Sequence, residues 1–275
     1  MKISSVWGVY FSATGTTEKI VGRVAQTTAV LMGAEYRPYS FTLPRARTQK
    51  LTFSKEDLVV MGVPVYAGRV PNVLLPYIRD NISGNGALAT PITLYGNRDY
   101  DDALIELRNI MQENGFFAIS AGAFVGEHSF SVVLAAGRPD DDDMALAVRL
   151  GEETARKAQT MAYPPADAIH VAGGEPIRPY YSPRDRLGNP INMLKAKPKT
   201  DISKCTDCGK CSSICVMGSI DPDDASEVSG ICIKCCACIK MCPTHAKYFD
   251  DKGYVYHKQE LEDVYKRRAA VELFY

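Results

Sequence analysis

Apolar positions along the first 160 residues fall into two alternating rhythms. Short β-branched or continuous apolar runs predict strands over 6–11, 58–65, 91–96 and 117–125. Between them, apolar residues three and four apart, such as Ile20, Val24 and Leu31, predict helices over 17–32, 102–113 and 141–161. The run LVVMGVPV at 58–65 has no polar face, as expected of a strand covered on both sides. Strands alternating with helices mean βαβ units and an open, doubly wound α/β domain, here over 1–163. Four aspartates, 140–143, suit the positive start of the last helix better than a divalent metal.

The pattern then breaks. Seven of the 16 prolines lie in 164–198. They fix φ and remove backbone donors, so this stretch is a linker or a strap over the first domain. A cysteine-rich module follows at 199–256, and 257–275 has helical spacing through Leu261, Val264, Tyr265, Ala269 and Leu273. Lys195, Lys197 and Lys199 read as a solvated charge run. Lysine plus arginine equals aspartate plus glutamate at 32 each, which argues against a nucleic-acid-binding protein. No apolar run approaches the ~18 residues of a membrane span. The start of the chain lacks signal-peptide character, and a cytoplasmic location is the expectation.

Cysteine changes the picture most. All nine lie between Cys205 and Cys242. Two tandem C-x2-C-x2-C-x3-C quartets stand out: Cys205, Cys208, Cys211 and Cys215, then Cys232, Cys235, Cys238 and Cys242, the last followed by Pro243. In this bacterial ferredoxin spacing three cysteines hold one cubane and the fourth reaches the other. The expected metal sets are therefore crossed, with Cys242 joining Cys205, Cys208 and Cys211, and Cys215 joining Cys232, Cys235 and Cys238. Structural zinc also takes four thiolates but uses separated pairs. Val216 stands where the second copy has proline, and Cys236 is left over as a buried spectator. Each cubane brings a charge of about −2, so a redox partner should meet the holoprotein with a basic patch.

The second candidate site lies at strand ends, where open α/β sheets bind ligands. After the first strand come Ser12, Thr14, Gly15, Thr16 and Thr17, hydroxyls and a glycine opening a helix. That arrangement either cradles a phosphate or caps a helix. Three further loops share the rim: 62–71 after the third strand, 95–100 after the fourth, and 126–129 after the fifth.

Residues 1–160 resemble a flavodoxin domain, whose FS-x-TG-x-T loop holds the FMN phosphate. With the double quartet, nearly the whole chain resembles the flavodoxin–ferredoxin fusion proteins of anaerobic bacteria and archaea. The resemblance implies a flavodoxin-like, doubly wound, parallel five-stranded sheet carrying a small C-terminal α+β bacterial ferredoxin-like domain. It implies FMN and two [4Fe-4S] clusters. It also implies flavin contacts from Ser12, Thr14, Gly15, Thr16 and Thr17, from Pro64, Val65, Tyr66, Ala67 and Gly68, and from Tyr95, Gly96, Asn97 and Tyr100. Glu127 and His128 are candidate proton donors.

Two functions fit. One is a carrier passing electrons between a redox partner protein and FMN. The other is a reductase of a small organic acceptor such as a quinone or tetrapyrrole, fed by its own clusters. A redox sensor lacks a DNA-binding helix pair. A homodimer with one subunit's clusters facing the other's flavin also fits the pattern.

Overall fold

The computed structural model describes residues 2–165 and 167–275. Five strands, β1 (Ser5–Tyr10), β2 (Glu35–Ser40), β3 (Asp57–Pro64), β4 (Leu88–Tyr95) and β5 (Ala121–Val125), run parallel in the order 2-1-3-4-5. This is the flavodoxin-like doubly wound order. Along β3 the side chains alternate between two cores. Val59, Met61 and Val63 enter one with Phe11, Leu74, Ile78 and Leu107. Leu58 and Val60 enter the other with Ile20, Val24, Phe124 and Leu150. A period of two with both faces apolar needs helices on both sides. They are α1 (Thr16–Met32) and α4 (Asp141–Thr160) on one face, and α2 (Leu75–Asn81) and α3 (Ala103–Glu113) on the other.

Strand β2 is largely solvent-facing and contains Pro38, tolerated because it lies at the sheet edge. It carries no apolar run, so the pattern did not reveal it. The predicted strand 117–125 is split: Phe117–Ala118 and β5 pair separately with β4. The aspartates at 140–143 form a capping box, in which Asp140 accepts from Asp143 N while the Asp143 carboxylate accepts from Asp140 N and binds buried Arg138.

Residues 167–198 form a strap along the α3 side of the sheet; Ala166 of the predicted 164–198 segment lies outside the described residues. Buried Asp102 holds it, accepting from Gly174 N and Arg178 N at 2.8 Å each and from the Arg178 guanidinium. Tyr181 N donates to Ala67 O (2.8 Å), and Tyr180 Oη donates to Val70 O (2.8 Å). The cysteine module has an antiparallel pair, β6 (Lys199–Thr200) with β7 (Lys247–Tyr248), and two single-turn helices, α5 (Lys210–Ser213) and α6 (Ala237–Lys240). It docks through Val216, which is 1% exposed and belongs to the same core as Phe11 and Phe41. Arg47 donates to Phe41 O, Thr42 O and Val216 O, tying the two bodies.

The expected helix over 257–275 is corrected. Helix α7 spans Lys252–Val264, starting early because the Asp251 carboxylate accepts from Tyr254 N (2.9 Å). The chain then turns extended, and β8 (Glu272–Phe274) pairs antiparallel with β5, Leu273 opposite Gly122. The free edge of β5 offers backbone donors and acceptors that an extended tail satisfies and a helix does not. The sheet is thus seven-stranded and mostly parallel rather than five-stranded and purely parallel. Among the described residues no helix is long and apolar enough to cross a membrane.

Candidate functional site

Two chambers lie at the carboxyl ends of the strands, and a third adjoins them within the cysteine module. The first, the loop chamber, encloses 60 Å³ and is walled by Thr14, Thr16, Thr17, Pro64, Val65, Tyr66, Tyr95, Gly96 and the 126–129 loop. Gly15, in the left-handed region at φ +88°, turns the chain into α1 and has no side chain with which to cap that helix. Ser12 Oγ instead accepts from Glu18 N (3.1 Å), holding the loop in place. Ahead of Glu18, the backbone N–H groups of Thr16 and Thr17 at the positive end of a 17-residue helix, flanked by threonine hydroxyls, are a ready anion cradle.

The second loop is a tight turn in which Tyr66 and Arg69 exchange backbone hydrogen bonds (3.0 and 3.1 Å). Ala67 and Gly68 at its tip both have positive φ. Opposite it, the His128 ring lies against Gly96; a Cβ there would stand 2.3 Å from His128 Cδ2. His128 Nδ1 accepts from Phe130 N (3.1 Å), so the neutral ring carries its proton on Nε2. Burial, with His257, Lys240 and Arg98 nearby, lowers this histidine to about 3, and it is neutral at pH 7.

The second, the strap chamber, encloses 280 Å³ and shares Val65, Tyr66, Gly96, His128 and Ser129 with the first. Beyond these it is closed by parts outside the sheet: Tyr181, Met193 and Leu194 of the strap, Lys234 of the module, and His257 and Leu261 of α7. Sequence reasoning missed this wall because its residues are apolar or singly placed and come together only through the strap and the tail.

Not every rim candidate faces the chambers. Tyr100 is 5% exposed and lines neither; its hydroxyl donates to Glu272 (2.6 Å). Asn97 also lines neither and clasps the tail, donating to Tyr265 O and Arg267 O (2.7 Å each) and accepting from Ala269 N. Glu127 lines the loop chamber but is ion-paired with Lys240 of α6. Lys240 also donates to Ser131 O (2.9 Å), so this lysine pins the 126–139 loop to the cysteine module.

The third, the thiol chamber, is walled by Cys215, Cys232, Cys235, Cys236 and Cys238. The crossed partner Cys215 therefore faces the second trio. Cys205, Cys208, Cys211 and Cys242 do not line it, and Cys208 is exposed. The two quartets share backbone geometry. Residues at matched positions, Asp207 with Gly209 and Lys234 with Cys236, have positive φ. Ser219 N donates to Cys215 Sγ and Ala246 N to Cys242 Sγ, both at 3.3 Å and both four residues on. Burial raises the thiols of Cys232 and Cys238 and pushes Cys235 up to about 11. Cys242 is lowered despite some burial, by hydrogen bonds from Ala246 N and Thr244. Among the described residues no three His, Cys, Asp or Glu side chains are already gathered on a single metal-ion position.

Cys235 lines both the loop chamber and the thiol chamber. Tyr66 stands at the same junction, its hydroxyl raised far above the ordinary value by burial and then by Cys235, Cys236 and Cys232.

No family model and no curated protein matches the chain. Among solved structures, a flavodoxin from the domain Archaea is similar over 57% of this chain and 99% of its own, at 16% identity and a TM-score of 0.42. A flavodoxin of Streptococcus pneumoniae TIGR4 is similar over 56% and 99%, at 19% identity and 0.40. An NADH:FMN oxidoreductase in its apo form is similar over 58% and 92%, at 14% identity and 0.42. Likeness at this level carries no argument. The flavodoxin-like class rests on the strand order of the chain itself.

Proposed function

We propose that this chain is an electron-transfer protein holding FMN in the loop and strap chambers and a [4Fe-4S] cluster on each crossed cysteine quartet. The observation that carries the reading is Cys235, a candidate cluster ligand that also forms part of the wall of the candidate flavin site.

The residues present fit both groups. For FMN, the start of α1 with Thr14, Gly15, Thr16 and Thr17 suits the phosphate. The ring has a place between the turn at Pro64, Val65, Tyr66, Ala67 and Gly68 and the strand end at Tyr95 and Gly96. For the clusters, both donor sets are all thiol: Cys215, Cys232, Cys235 and Cys238 are spread around the thiol chamber, and Cys242 of the other set accepts from Ala246 N as Cys215 accepts from Ser219 N. A zinc ion needs four thiolates about 2.3 Å from one point, whereas a cubane's ligands stand around a body several atoms wide. Iron binding deprotonates a thiol, so the raised values of Cys232, Cys235 and Cys238 mark groups that need a metal to become anionic.

FMN exchanges one or two electrons and each cubane one, so the set converts between single and paired electrons. The protein's own part is placement. The quartet of Cys215, Cys232, Cys235 and Cys238 is tucked against Tyr66 and the flavin loops. In the quartet of Cys205, Cys208, Cys211 and Cys242, Cys208 is exposed, and a partner protein with a basic face would dock there. This arrangement joins clusters and flavin within one chain, so the reading does not require a second subunit.

The test is an anaerobic preparation with iron, sulfide and flavin quantified together. About eight iron and eight sulfide per FMN are expected. Thr16→Val should lower FMN content while iron stays unchanged. Colourless protein, or zinc in place of iron, defeats the proposal.

A further inference from the structure

Beyond their ligands, the two cysteine repeats correspond position by position, and one pair of positions differs in charge. Five residues after Cys215 stands Ile220, 6% exposed in the wall of the thiol chamber; five residues after Cys242 stands Lys247, 3% exposed. We infer that the Lys247 ammonium is a fixed positive charge shared by the two cysteine quartets, which raises the reduction potential of both proposed clusters. The inference rests on the cluster reading above and deepens it by naming a residue that sets the potentials.

The first argument is burial. Among the described residues Lys247 is the one buried lysine. A buried ammonium is costly unless its charge is answered. The buried arginines have carboxylate partners, Glu175 for Arg108 and Asp143 for Arg138. Lys247 forms no ion pair among the described residues; its Nζ donates to the carbonyl of Ala225. Asp224 feels its charge, but that carboxylate is exposed and engaged by Ser226 N (2.8 Å) and Ser226 Oγ (2.6 Å). A neutral carbonyl satisfies the donor and leaves the charge unanswered. Two clusters of about −2 each answer it.

The second argument is position. Cys211 lies in α5 and Cys238 in α6, each the third cysteine of its repeat, and these two turns pack on each other. Strand β7, which begins with Lys247, packs against α6. Burial raises the thiols of Cys211 and Cys238, and the Lys247 charge works against that rise in both. By the crossed sets these cysteines belong to different clusters, so one ammonium acts on both. A cation near a cluster favours the more negative, reduced form, which raises its potential.

The test is an anaerobic dithionite titration of the FMN- and cluster-loaded protein, with each reduced cluster followed by electron paramagnetic resonance. Lys247→Gln keeps a donor for Ala225 O and removes the charge. It should disfavour reduction of both clusters about tenfold, or about 59 mV for a one-electron couple, with iron content unchanged. Lys247→Arg keeps the charge and should stay close to the parent protein. If the glutamine variant loses iron, Lys247→Ile, which copies Ile220 of the first repeat, should give the same shift. Unchanged potentials in a neutral variant that retains its iron overturn the inference and leave Lys247 as a tether for Ala225. A shift confined to one cluster, or an equal shift in Lys247→Arg, overturns it as well. Protein without iron and sulfide defeats the earlier reading instead, and the cofactor assay shows this before any titration.

Discussion

Cys235 and Cys236 are adjacent in the chain but sit in different surroundings. Cys236 is 3% exposed, caps α6 in the left-handed region, and packs its sulfur 3.3 Å from the Tyr254 hydroxyl. Burial pushes its thiol up to about 12, so it stays protonated and acts as a small apolar group. Cys236→Ala should leave iron per chain unchanged and cost about 1–3 kcal/mol of stability, because Tyr254 loses its partner. Iron analysis and a urea midpoint on the holoprotein check both, and lost iron would make Cys236 a ligand. His128 gives a pH prediction. Its ordinary value of 6.5 falls to about 3 in the folded chain, so between these values the unfolded chain binds the proton and the folded one does not. The stability tied to this group is fully present above pH 6.5 and is lost as pH falls toward 3. His128→Gln should flatten that part of a midpoint-against-pH curve; an unchanged slope would assign it to another group.

At the scale of elements, the two cysteine repeats differ where one docks and the other does not. Pro243 follows the second quartet, while Val216 follows the first and is buried in the core shared with β3 and α2. The departure from the repeat is therefore the docking contact. Val216→Ala should lower stability by about 1.5–3 kcal/mol, the usual cost of withdrawing a buried valine side chain. Denaturant unfolding measures this, and an unchanged midpoint would place the hold elsewhere, on Arg47 or Lys240. The aspartates at 140–143 have a structural part, split between the α4 cap and ion pairs with Arg138 and Arg268. The loop after β4 divides its residues between two tasks. Gly96 faces the chambers and Tyr95 borders the first of them, while the side chains of Tyr95, Asn97 and Tyr100 turn back to hold the tail.

At the scale of the molecule, the proposal predicts that the two quartets fail separately. Cys215→Ala should remove about half the iron, spare FMN, and leave the cluster on Cys205, Cys208, Cys211 and Cys242. Spectroscopy on the anaerobic variant would show this, and loss of the other cluster would refute the crossed sets. Much of the molecule was legible in sequence. Apolar runs with no polar face required a sheet covered on both sides, and the spacing of Cys205 to Cys242 marked the thiol sets, because periodicity and ligand spacing are local properties of the chain. The edge strand β2 was hidden because a solvent-facing strand has no apolar run to display. The tail strand β8 was hidden because its three residues are extended only by pairing with β5. Sequence alone determined the alternation of elements, the anion-ready loop before α1 and the two thiol quartets. Only the tertiary structure decided that Cys235 meets the flavin loops and that strap and tail close a chamber over them, since those contacts join residues as distant as Val65 and Leu261 and leave no local trace in the chain.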